Sequence, residues 1–221
     1  MIARVEGRVS YIILADFGGF CMSSFDPVFR ASQTSDSPYI ADLMISSAPS
    51  MNNYVFGRHL HHLITEAFRT NRGIWAAKHA YVIASGEEVL AVATFYPTRD
   101  APKIVWDGIR FIFSELGFME GCRILFRTLR TASVYKPFLK ESAYIANVAC
   151  SPSHQGKGLA TLLMKSIEGL KEAARAQRYE LDVELDNTPA RKLYEKLGWK
   201  TRNMTIPTSL LPGVVRMVKE F

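Results

Sequence analysis

The sequence predicts a mixed α/β sheet flanked by helices, with a helical insertion ahead of the strand that leads into a glycine-rich turn. Two observations carry this reading. Strand-like runs alternate with amphipathic helical runs, and hairpins stand at both ends, an order that suits a sheet with helices on it rather than a bundle. The length of 221 residues is that of one decorated domain, at the usual ~150 residues per domain.

Residues 1–27 form an N-terminal extension. Its apolar segment at 11–14 is interrupted by Asp16 and no small-x-small cleavage site follows, so it reads as an extra strand or hairpin rather than an export signal. The domain proper covers residues 28–221. Residues 28–31 are a short strand. Ser35-Asp36-Ser37-Pro38 then supplies a capping residue and a first-turn proline, with Ile40, Leu43 and Met44 at helical spacing behind it. A second helix from about Arg58 buries Leu60, Leu63, Ile64 and Phe68. His59, His61 and His62 lack the spacing of a metal pair and read as solvated.

Residues 80–84, the turn Ser85-Gly86-Glu87 and residues 89–96 form a hairpin. The pattern turns helical from 104 to 140, with Gly117 and Gly121 as breaks. This insertion carries Trp106, Phe111, Phe113, Phe118 and Phe126, and a basic stripe of Arg123, Arg127 and Arg130 at helical spacing. It is too apolar for a solvated loop and is expected to cover the sheet, wall an acceptor pocket or meet another subunit. Residues 144–149 are a strand, 158 to about 176 a helix, and 179–185 a strand. A short helix at 189–197 ends at Gly198, and residues 199–205 and 214–220 are the final strands.

Lys and Arg number 27 against 21 Asp and Glu, a net charge of +6, which suits a polyanionic partner: nucleic acid, an anionic surface or a phosphorylated cofactor. No helix-turn-helix, zinc or aromatic RNA-binding pattern accompanies the charge, so nucleic acid is not expected. No apolar run reaches the ~18 residues of a spanning helix, and no membrane partner is expected. Cys21, Cys122 and Cys150 are too widely spaced for a disulfide framework or a Cys-x-x-Cys metal site. No metal is expected, and the location expected is cytoplasmic.

The chemistry concentrates at Gln155-Gly156-Lys157-Gly158-Leu159-Ala160-Thr161, between a strand and a helix. Small residues at 156, 158 and 160 let backbone approach a ligand, and the unsatisfied N–H groups of the helix start converge on an anion. Lys157 adds charge and Thr161 a hydroxyl, so the turn fits a pyrophosphate. It is not a Walker loop, since Gly158 follows Lys157, and it lacks the third glycine of the dinucleotide fingerprint.

Gln155-x-x-Gly158-x-Ala160, followed by Asn187-x-x-Ala190-x-x-Leu193-Tyr194-x-x-x-Gly198-Trp199, resembles the acyl-coenzyme A signature of the GCN5-related N-acetyltransferase (GNAT) superfamily. The preceding Asn147-Val148-Ala149-Cys150-Ser151-Pro152 matches that family's strand before the pyrophosphate loop. The resemblance implies a mostly antiparallel central sheet and acetyl-CoA as cosubstrate. It implies that backbone groups of Val148 and Cys150 pair with pantetheine amides, the Cys150 side chain being incidental, and that Asn187 offers its amide to the same arm or caps a helix. Tyr194 matches the family's proton donor to the departing thiolate. Some members carry a carboxylate twelve positions before that tyrosine, which is Asp182 here. Strand alternation puts Asp182, Glu184 and Asp186 on one face, so Asp182 or Glu184 is the expected base. The function implied is direct acetyl transfer to a primary amine of a small molecule or a peptide N-terminus, with room for a homodimer. A non-catalytic acyl-CoA-binding module of the same fold is the alternative.

Overall fold

Side-chain alternation on the strands decides how the layers form. The computed structural model describes residues 2–5, 8–11, 27–132, 134–170 and 174–221. Among these, nine strands make one sheet: β1 (Ile2–Val5), β2 (Arg8–Tyr11), β3 (Val28–Ala31), β4 (Ala80–Ser85), β5 (Glu88–Pro97), β6 (Ser142–Cys150), β7 (Arg178–Glu184), β8 (Lys200–Thr205) and β9 (Val214–Glu220). Their order is β1-β2-β3-β4-β5-β6-β7-β9-β8. Every neighbouring pair is antiparallel except β6 and β7. The expected mixed, mostly antiparallel sheet is therefore present. The N-terminal hairpin expected in the extension pairs Ile2 with Tyr11; residues 12–26 lie outside the described part.

On β4, Val82 and Ala84 face one way and Ile83 the other, as a two-residue repeat requires. The first face is covered by α1 (Ser37–Ser47), α2 (Pro49–Phe56) and α3 (Leu60–Thr70), whose Ile40, Met44, Leu63 and Phe68 share a core with Val82 and Val92. The second face holds α5 (Leu159–Glu168) and α6 (Thr188–Lys196), whose Leu163, Ile167 and Tyr194 pack with Ile83, Ile145, Leu181 and Met217. Pro49 in the first turn starts α2 as a separate helix. Its polar run Ser50-Met51-Asn52-Asn53 carries too weak a periodicity to be read from sequence. The helix after the glycine turn ends at Glu168 in an ordinary turn, earlier than position 176; residues 171–173 lie outside the described residues.

The insertion is α4 (Ala101–Thr131), with Gly117 at φ 75° and ψ 179° interrupting the helical path. A residue with a Cβ rarely adopts that φ, so the glycine sets the change of direction. Gly121 stays helical and buried instead, and a Cβ there would meet the Phe113 ring at 2.7 Å, so the glycine leaves room for that ring. Helix therefore ends at Thr131, and residues 134–141 return to β6 without helical structure. Phe111 and Phe113 face a cavity of about 160 Å³ between α4 and α3, together with Phe56, Trp75 and Ile124. Trp106, Phe118 and Phe126 are exposed.

Candidate functional site

The parallel pair β6 and β7 is joined only over its first half. The register runs from Ser142 opposite Arg178 to Ile145 opposite Leu181 and then stops, so the strands diverge and leave an edge of β6 unpaired by β7. The divergence coincides with a bulge against β5 between Val92 and Thr94. There Asn147 takes φ 52°, and its Nδ2 donates to Thr94 Oγ1 at 3.0 Å. Asparagine tolerates the left-handed region better than most residues because its side chain can bond locally. Further along, Ser151 N–H donates to Leu90 O at 2.8 Å. Alternation along a strand then turns the backbone of Ala149 towards β5 and that of Val148 and Cys150 towards the gap.

Beyond β6, Gly156 and Gly158 both hold φ near 79°, and a Cβ at either would meet nothing within 4 Å. Gly158 is the N-cap of α5 and so has no side-chain acceptor for the first-turn N–H groups; its carbonyl accepts from Leu162 N at 3.0 Å. Gln155, Gly156, Lys157 and Gly158 are exposed and Ala160 and Thr161 half-buried. Left-handed glycines therefore open the loop outward at the start of a ten-residue helix, the arrangement that receives an anion.

Asn187 caps α6, its Oδ1 accepting from Ala190 N at 3.2 Å. The oxygen is thereby occupied. Two turns later Tyr194 is buried at 5% exposure with its ring 6.1 Å from that of Trp199. Burial first, and the neighbouring Cys150 second, hold its hydroxyl well above the usual phenol range. Burial also pushes the Cys150 thiol up to about 11, so that thiol stays protonated near neutrality and is a poor nucleophile. Tyr194 and Cys150 thus lie within electrostatic reach of one another, in the same apolar cluster.

The two expected carboxylates have different surroundings. Asp182 takes both arms of Arg216, Nε at 2.6 Å and Nη2 at 2.8 Å, and accepts from the Tyr144 hydroxyl at 3.0 Å. Arg216 also reaches Glu180 Oε2 at 3.0 Å and lies 5.0 Å above the Phe138 ring and 5.6 Å above that of Tyr144. This is a buried ion cluster, at 3% side-chain exposure for Arg216, 7% for Asp182 and 0% for Glu180. Burial and the Asp182 charge hold the Tyr144 hydroxyl well above its ordinary value.

Glu184, two residues on, meets backbone and serine rather than arginine among the described residues. Its Oε1 accepts from Met51 N at 3.2 Å, and Ser50 also bonds to it, so the carboxylate sits at the first turn of α2. Burial holds the Glu184 carboxyl above the usual carboxylate range, and the nearby Asp186 adds to this, against the bonds from Met51 and Ser50. The Tyr135 hydroxyl lies within electrostatic reach of both Asp182 and Glu184. Arg216, Glu180, Tyr144 and Tyr135 were not anticipated as parts of this site. One signal was present: a lone arginine in the apolar run Val214-Val215-Arg216-Met217-Val218 is rarely buried without a partner.

A sheet split between parallel neighbours, with a glycine turn leading to a helix at the split, defines an acyltransferase-like coenzyme fold. The sequence profile of the Acetyltransferase (GNAT) family matches residues 39–199, and the chain belongs to that family. It is similar to an N-alpha-acetyltransferase of Sulfurisphaera tokodaii, 34% identical over 65 residues, which cover 29% of this chain and 39% of that relative. The chain thus spans about two-fifths of the length of this curated relative. Among solved structures, an N-acetyltransferase from Staphylococcus aureus Mu50 superposes with a TM-score of 0.65 at 17% identity, covering 86% of this chain and 99% of that one. The yncA protein of Salmonella typhimurium, determined with its cofactor acetyl-CoA, gives 0.56 at 11% identity over 88% of this chain and 93% of that one. At such identities these two likenesses concern the fold.

Proposed function

We propose that the protein is an N-acetyltransferase that moves the acetyl group of acetyl-CoA directly to a primary amine, either of a small molecule or of a peptide N-terminus. The observation that carries this reading is the opening between β6 and β7 with the Gly156 and Gly158 turn at its end. Val148 and Cys150 offer backbone partners to an extended amide-bearing arm, as an added strand would find. Gln155 to Thr161 receive the pyrophosphate, with Gly156 and Gly158 allowing close approach. The side-chain NH₂ of Asn187 serves the arm, since its oxygen is the helix cap. The curated relative's name, N-alpha-acetyltransferase, supports an α-amine as the acceptor type.

In the reaction the neutral amine nitrogen bonds to the thioester carbonyl carbon, the carbon–sulfur bond breaks, and one proton leaves nitrogen while one reaches sulfur. In this reading Tyr194, protonated and within electrostatic reach of Cys150, gives the proton to the thiolate. Glu184 is the better placed of the two carboxylates to receive the amine proton, directly or through water, because Asp182 already serves Arg216 and Tyr144. Asp182 then acts as a positioning charge in the acceptor wall. A protein of the soluble interior of the cell is the setting this reading assumes.

The test is acetyl-CoA binding by calorimetry, together with thiol release on adding a panel of primary amines and peptides. Release that depends on the amine is expected; coenzyme binding with no release for any amine would reduce the protein to an acyl-CoA-binding module. Gly158→Val should weaken acetyl-CoA binding at least tenfold in a folded protein. A β-branched residue is strained at positive φ and its methyls would occupy the open side of the loop. Unchanged affinity would remove the pyrophosphate from this turn.

Glu184→Gln tests the base through pH. The raised carboxyl places the acidic limb of kcat/KM above the ordinary carboxylate range in the wild-type protein: activity is lost as Glu184 is protonated and gained as pH rises through its pKa. The glutamine variant should lose that limb and fall about tenfold near pH 7, the deficit closing at high pH, where an α-amine of pKa near 8 is already neutral. An unaltered profile would exclude Glu184 as the base.

A further inference from the structure

The second half of α4 carries an exposed surface that the acetyl-transfer reading does not use. Phe118 is 76% exposed, Met119 81%, Phe126 61% and Leu129 63%, and Cys122 is exposed as well. Four large apolar side chains left this far in water on one helix are more than the scattered single residues that soluble surfaces ordinarily show. Their order on the helix is regular. At about 100° per residue, and measured from Phe118, Leu129 falls near 20°, Cys122 near 40°, Phe126 near 80° and Met119 near 100°. Arg130 and Arg123 follow near about 120° and 140° on the same wheel; Arg127, near about 180°, is half-buried, its Nη1 beside Gly57. The remaining arc is the packed one, with Gly121, Ile124 and Thr131 buried. The exposed part of the helix is therefore an apolar band with a basic band alongside. The two touch where the Arg130 guanidinium lies 5.8 Å from the centre of the Phe126 ring.

Charge selects the occupant. From Phe118 to Thr131 the helix has three arginines and one acid, Glu120, which bonds to Arg123 at 2.6 Å. A second copy of the chain applied to this face would bring two sets of arginines together. Apolar aromatic side chains beside arginines suit the boundary of an anionic bilayer, where the rings enter the acyl region and the guanidinium groups meet phosphate. Among the described residues no helix is long and apolar enough to cross a membrane. That fact concerns crossing, and a helix lying on the surface is a different case. We propose that the outer face of α4 is a docking surface for an anionic lipid bilayer, holding the domain at the membrane through Phe118, Met119, Phe126 and Leu129 with Arg123 and Arg130 on the headgroups.

Vesicle co-sedimentation of the full chain decides this. The lipids are phosphatidylcholine alone and an equal mixture of phosphatidylcholine with phosphatidylglycerol. Wild-type protein should sediment with the anionic mixture, far less with the neutral lipid, and be released by raised salt. The Phe118→Ser, Phe126→Ser double variant should lose at least tenfold in partitioning, since each ring contributes apolar area. The Arg123→Gln, Arg130→Gln variant should also lose about twenty-five-fold, at roughly fivefold per arginine. All four positions are on the helix exterior, so both variants should keep the wild-type thermal midpoint. Failure of the wild-type protein to bind the anionic vesicles, or equal binding to neutral ones, would overturn the proposal. So would a wild-type dimer in light scattering that the phenylalanine variant dissolves, which would give this face to a second copy. Neither result bears on amine acetylation.

Discussion

Replacing Arg216 with leucine should lower the free energy of unfolding by about 3–5 kcal/mol, the range for breaking a buried ion pair from one side. The change leaves the methylene bulk but strands Asp182 and Glu180, whose side chains are 7% and 0% exposed. Glu180 keeps bonds from Leu139 N at 2.7 Å and Ser142 Oγ at 2.6 Å, with Arg202 at 3.8 Å. Asp182 keeps only the Tyr144 hydroxyl among the partners described above. Asp182 therefore bears most of the cost, and adding Asp182→Asn to the Arg216→Leu chain should recover part of it. Urea unfolding of the three proteins measures the effect. A loss below about 1 kcal/mol, the level of an exposed pair, would show that water reaches the cluster. The cluster also tethers the segment after α4 to the sheet, since Phe138 lies against Arg216 and Leu139 against Glu180. A weakened acceptor site should accompany the lost stability.

Tyr194→Phe should lower kcat by roughly ten- to a thousandfold, within the general-acid range, and leave the acetyl-CoA dissociation constant nearly unchanged. The hydroxyl is held protonated by burial and by Cys150, so it can act as a donor at neutral pH and cannot act as a base. Phenylalanine keeps the ring that packs against Trp199 and removes only the hydroxyl. The predicted signature is thus a kcat effect without a binding effect. Single-turnover thiol release at saturating acetyl-CoA and amine reads it, and equal rates in the two proteins would return Tyr194 to packing alone.

What the sequence by itself determined is local. Hairpin turns, first-turn prolines and the alternation of 179–185 depend on neighbours a few residues away, and each recurs in the structure within a few positions of its expected bounds. The glycine turn was legible for the same reason: positive φ at 156 and 158 is a property of two residues without a Cβ. Helix α2 escaped because its polar run has little apolar period, and it is packing against α4, α1 and α3 that holds it there. The choice between Asp182 and Glu184 lay beyond the sequence in a stronger sense. Both stand on the same face of β7, and alternation treats them alike. Pairing with β9 sets Arg216 opposite Asp182, and the junction of α1 and α2 brings Ser50 and Met51 to Glu184. Tertiary structure likewise decided the fate of the insertion's aromatics, burying Phe111 and leaving Phe118 and Phe126 in water. Backbone conformation follows from the residue and its immediate neighbours, whereas the charge state and exposure of a side chain depend on groups that only long-range packing brings within a few ångströms.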